Sequence, residues 1–82
     1  MNGLKTNGHK IVKVGMKVKY RGCFGSGPIE ETTIESIELC EDEHEKYGVL
    51  VSEVSVKDLY RCCLDLDNEH WAYGYQITEI LG

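Results

Sequence analysis

The chain has 82 residues, of which 41% are apolar and 28% charged, and its net charge is -5. A length of this order holds one domain with one core, burying about 60 to 65% of the surface the unfolded chain exposes, which excludes a two-domain arrangement. The composition excludes the disordered class, and no stretch approaches the roughly 20 apolar residues of a membrane span.

The opening Met1 to Lys10 lacks the apolar run of a secretory signal, so the expected location is cytoplasmic. The four cysteines, at 23, 40, 62 and 63, then read as thiols, and neither Cys-x-x-Cys nor a Cys/His pair at zinc spacing occurs. No metal and no cofactor are expected. Charge is unevenly placed. Lys5, Lys10, Lys13, Lys17, Lys19 and Arg21 precede the first acid, Glu30, whereas residues 30–82 hold all fourteen acids and only three cations. A basic strand lying beside acidic strands would offset their repulsion; the sharper reading makes it a docking stripe for phosphate or for an acidic partner.

Residues 1–10 are polar and are expected to form a flexible tail, leaving 11–82 as the single domain. From Val12 to Tyr20 the residues Val12, Val14, Met16, Val18 and Tyr20 alternate with cations, the pattern of a half-buried strand with an interruption near Gly15. Arg21 to Pro28 carries three glycines and the sole proline, and predicts a long irregular loop holding Phe24. Its glycines lack the Gly-Lys-Ser/Thr ending and following helix of a phosphate cradle.

Glu31 to Leu39 is rich in β-branched residues, but Ile34 and Ile37 are three apart. A strand with a β-bulge or bend reconciles the two facts, and a helix is the competing reading. Glu41 to Gly48 reads as an acidic turn; its carboxylates and His44 match a cation site less well than a solvated loop. In Val49 to Val56, Val51 and Val54 are out of phase, which predicts a second bend.

Leu64 and Leu66, then Trp71, Tyr73, Tyr75 and Ile77, alternate with smaller or polar residues, predicting a hairpin. An even loop at Asn68-Glu69 pairs Leu66 with Trp71, Leu64 with Tyr73 and Cys62 with Tyr75, placing leucines and rings on one face. Asp65 to Glu69 begins like a calcium loop, but the sixth and twelfth positions hold His70 and Gln76 where glycine and glutamate are needed. Cys62 is expected in the core as a small hydrophobe, and Cys23, Cys40 and Cys63 have no identifiable activating neighbour, so no catalytic residue is assigned. The ring stripe reads first as core, with the end near Trp71 or Tyr75 reaching the surface.

About five short strands with glycine-rich connections predict an all-β fold: a strongly bent five-stranded antiparallel sheet, partly open as a barrel. Gly15-Met-Lys-Val-Lys-Tyr-Arg-Gly22, the glycine-rich loop after it, and Asp65-Leu-Asp-Asn-Glu-His-Trp-Ala-Tyr-Gly-Tyr-Gln-Ile77 resemble an SH3-like small barrel over about residues 12–80. In style the chain is similar to short bacterial and mobile-element proteins. Classical proline-peptide binders of that fold carry an acidic loop after the first strand and a mid-domain Trp pair. Here the first strand is basic and the sole Trp lies near the end, so that ligand specificity is not carried over.

Three functions are weighed. A non-catalytic protein-binding or adaptor module would use Cys23 to Pro28, including Phe24, with Trp71 and Tyr75. A nucleic-acid-binding barrel would use Lys13, Lys17, Lys19 and Arg21 with Tyr20 or Trp71, at an affinity that falls steeply with salt. A small metal- or thiol-dependent enzyme is the third, and the acidic majority of the chain weighs against the second.

Overall fold

The computed structural model describes residues 4–40 and 48–82, with Phe24 described in its backbone alone. The acidic turn read at 41–48 therefore lies, but for Gly48, outside the described residues.

Gly15 divides the first alternating run into β1 (Ile11–Lys13) and β2 (Lys17–Arg21). Its φ of +96° is one that a residue with a Cβ rarely adopts, and its N–H donates to the Ile34 carbonyl at 2.8 Å. The turn keeps Val12 and Val18 buried but swings Val14, expected inside, out to 43% exposure. A single helical turn, α1 (Gly22–Gly25), occupies the segment expected to be irregular.

The β-branched run after it is β3 (Ile29–Leu39), a strand rather than a helix. Its pairing register shifts between Ile34 and Ser36, and this bulge at Glu35 lets Ile34 and Ile37 both face the core despite their spacing. The second out-of-phase run breaks at Ser52 into β4 (Val49–Val51) and β5 (Glu53–Ser55). A 3-10 helix (Val56–Arg61), β6 (Cys62–Leu66), β7 (Trp71–Tyr73), a 3-10 turn (Gly74–Gln76) and β8 (Ile77–Ile80) complete the chain.

The main sheet runs β7-β6-β3-β2-β8, every pair antiparallel, with β4 added to β3 and β1-β5 forming a separate ribbon. This is a small all-β domain whose sheet is open: no pairing joins β7 to β8 among the described residues. Val18, Ile34, Ile37, Leu59, Leu64, Leu66 and Ile80 fill its interior. No helix among the described residues is long and apolar enough to cross a membrane.

At the start of the described chain, Lys5 N–H donates to the Thr78 carbonyl, Ile80 N–H donates to the Lys5 carbonyl, both at 2.9 Å, and Leu4 packs on the core. One expectation is corrected, that of the hairpin register. Leu64 lies opposite Ala72, Asp65 opposite Trp71 and Cys63 opposite Tyr73, one residue away from the expected register. The loop is thus Asp67-Asn68-Glu69, an odd loop closed by Glu69 at φ +70°.

Its anchors explain the choice. Asp67 Oδ1 accepts from Thr32 Oγ1 at 2.7 Å and from Thr33 N–H at 3.1 Å, and Asn68 Nδ2 donates to the Tyr20 hydroxyl at 3.0 Å. These bonds to β2 and β3 fix where β6 must end. Space agrees with them, since Ala72 is fully buried opposite Leu64, a place too small for an aromatic ring. Because strand side chains alternate, Trp71 and Tyr73 then face away from the leucines. The alternation also stops early: Gly74–Gln76 is a 3-10 turn, so Tyr75 does not pair with Cys62.

Candidate binding surface

A register that sends Ala72 inward delivers the rings outward. Trp71 is 47%, Tyr73 40% and Tyr75 58% exposed, and Tyr60, at the end of the first 3-10 helix, is 62% exposed. Three of them touch in sequence. Trp71 and Tyr73 meet edge to face with centroids 5.0 Å apart, and Tyr73 stacks on Tyr75 at 5.6 Å and 13°. Both geometries are favourable for aromatic pairs.

Tyr75 is held by its neighbours on either side. The Gln76 side chain is buried, its Oε1 accepting from Tyr73 N–H and its Nε2 donating to the Arg21 carbonyl, each at 2.9 Å. Gly74 sits so close to the Leu59 carbonyl that a Cβ there would overlap it. This contact joins the two 3-10 segments and brings Tyr60 and Tyr75, their respective chain neighbours, to one groove of about 660 Å³. Leu4, Ile29, Lys5, Lys19, Arg21 and Glu79 also line it. A smaller hollow of about 260 Å³ lies at the Trp71 end, lined in part by Cys23, Pro28 and His70.

The sequence-assigned residues divide unevenly over this surface. Trp71 and Tyr75 belong to it, and Lys19 and Arg21 line the same groove as Tyr75. Lys17 is exposed on β2 opposite Thr33 and does not line the groove. Tyr20 is corrected to the core: it is 3% exposed, and its hydroxyl takes the Asn68 hydrogen bond. The side chain of Phe24 lies outside the described residues. Tyr73, read from the sequence as part of the same ring stripe and placed first in the core, lies on the surface with Trp71 and Tyr75, and Tyr60 lines the groove beside Tyr75.

Electrostatics favours the compensating role of the basic strand for one residue. Lys19 lies between Glu31 of β3 and Glu79 of β8, with its Nζ 4.0 Å from Glu79 Oε1. Arg21 Nη1 donates to the Gly27 carbonyl at 3.3 Å.

Two of the four thiols, Cys62 and Cys63, are set against nucleophilic work. Burial, then the neighbouring Cys40 and Asp58, pushes the Cys62 thiol up to about 11. Burial, then Glu38 and Asp65, raises Cys63 as well. A thiolate is the reactive form, and both sites disfavour it. Among the described residues, no group of three or more His, Cys, Asp and Glu side chains is placed to hold a metal ion. Comparison with protein families, curated proteins and solved structures returned no match.

Proposed function

We propose that the chain is a non-catalytic protein-binding module, its open sheet SH3-like in strand order, working in the cytoplasm through its exposed ring surface. The carrying observation is that Trp71, Tyr73 and Tyr75 form one continuous packed array while remaining 40% to 58% exposed. Leucines and Ala72 already fill the interior, so the rings stabilise the fold less than their size allows. Large rings with a polar tip supply contact area at low entropic cost, which is why they concentrate at interfaces. The SH3-like reading is supported by the order β8-β2-β3-β6-β7, in which the last strand returns to β2 after a 3-10 turn.

Selection from a displayed library of random peptides tests the reading. The expected result is an enriched consensus whose synthetic peptide shifts the amide resonances of Tyr60 and Trp71–Tyr75 and is lost in the folded variant Tyr75→Ala. Failure to enrich any peptide, together with tight salt-sensitive binding of single-stranded nucleic acid, would replace it by the nucleic-acid reading.

A further inference from the structure

The protein as a whole carries a net charge of -5, yet the groove at Tyr60 and Tyr75 is lined by three cations, Lys5, Lys19 and Arg21, and by one carboxylate, Glu79. That carboxylate is already engaged on both oxygens, Oε1 by Lys19 at 4.0 Å and Oε2 by Asn7 Nδ2 at 3.0 Å. Lys5 and Arg21 are left without a carboxylate partner among the described residues. Lys5 enters the groove through its backbone, which bridges to β8 and so fixes where its side chain starts. The Arg21 guanidinium has five N–H donors and places one of them on the Gly27 carbonyl. Beside these cations lie apolar and aromatic groups, Ile29 at 47% exposure with Tyr60 and Tyr75.

We propose that this groove takes an extended acidic segment of a partner protein, whose carboxylates meet Arg21 and Lys5 and whose apolar side chain lies against Tyr60 and Tyr75. The proposal rests on the protein-binding reading above and names the chemistry of its partner. Arg is suited to a carboxylate because its planar fork can give two parallel hydrogen bonds to it. A nucleic-acid strand fits less well. It presents a phosphate at every nucleotide and needs a run of cations to follow it, whereas two cations without a carboxylate partner among the described residues match the one or two carboxylates of a short peptide.

Fluorescence anisotropy on the full chain provides the test, with a fluorescein-labelled decapeptide of glycines and serines carrying two glutamates beside a central pair of leucines. Three comparison probes accompany it: the same peptide with amides for carboxylates, the same with lysines, and an oligothymidylate. The acidic peptide should bind at least roughly fivefold tighter than its amide form, weaken as salt rises from about 50 to about 300 mM, and lose roughly fivefold on Arg21→Glu. Lys5→Ala, which leaves the backbone bridge intact, should weaken it in the same direction, with circular dichroism showing both variants folded.

Equal binding of the acidic and amide peptides, or indifference to both substitutions, overturns the acidic specificity while leaving the module reading in place. If no peptide binds and the oligothymidylate does, both fall.

Discussion

Gly74→Ala asks whether one close approach holds the two tyrosines of the groove in place. The position needs no unusual φ, so the cost comes from space alone: a Cβ would overlap the Leu59 carbonyl oxygen and lie 2.6 Å from its carbon. Backbone atoms cannot rotate away, so one 3-10 segment must move off the other. Overpacking of this kind costs about 1–3 kcal/mol, and displaced backbone puts it at the upper end. Lower entropy of the unfolded chain returns about 0.4–1 kcal/mol, leaving a net loss of about 2 kcal/mol. With a urea dependence of about 1 kcal/mol per molar for so small a domain, the unfolding midpoint should fall by about 2 M.

Gly22→Ala is the matched control, because its nearest neighbour to a Cβ is a flexible Glu30 oxygen at 3.9 Å and its φ is also unremarkable. That variant should be neutral or slightly stabilised. A Gly74→Ala protein within about 0.5 kcal/mol of the parent, or equal damage from both substitutions, would refute the reasoning. The ring surface offers a second readout, since parting Leu59 from Gly74 parts Tyr60 from Tyr75.

Further outcomes follow from the hydrogen bonds and thiols. Gln76→Ala removes the hydrogen bonds to the Tyr73 N–H and to the Arg21 carbonyl and should cost about 2–3 kcal/mol in urea unfolding. The Asp67 carboxyl is held below its ordinary value, first by the Thr32 hydroxyl and then by the Thr33 N–H. Its stabilisation is therefore present above the ordinary carboxylate pKa and lost as pH falls through the lower folded value; Asp67→Asn should flatten that acid limb of Tm against pH. Cys62, raised to about 11 chiefly by burial, acts at the other end. Its contribution is complete below the ordinary thiol value and lost as pH climbs toward 11, so Cys62→Ala should shallow the alkaline limb while lowering stability at neutral pH.

Much of the strand layout was legible in local pattern. A glycine within an alternating run located the break between β1 and β2, and isoleucines three apart located the bulge of β3. Both signals are internal to one segment, where period and side-chain type suffice. The hairpin followed a different logic. Leucines and rings share a parity only if the loop is even, and hydrophobicity alone favoured that pairing. The deciding partners, Thr32, Thr33 and Tyr20, stand 34 to 48 residues from the loop residues they bind.

The candidate surface inherits that division. Trp71 and Tyr75 were visible as aromatic residues, and Arg21 and Lys19 as cations in a basic strand, but their convergence on adjoining surfaces came from β8 returning to β2 and from Gly74 meeting Leu59.

Composition and periodicity by themselves determined a small all-β chain, the positions of its breaks, and the separation of a basic first third from an acidic remainder, because these depend on residues close in sequence. Which face each ring occupies was decided only in the folded molecule. A one-residue change in register reverses every side chain of a strand, and that register was set by hydrogen bonds and space supplied by distant strands.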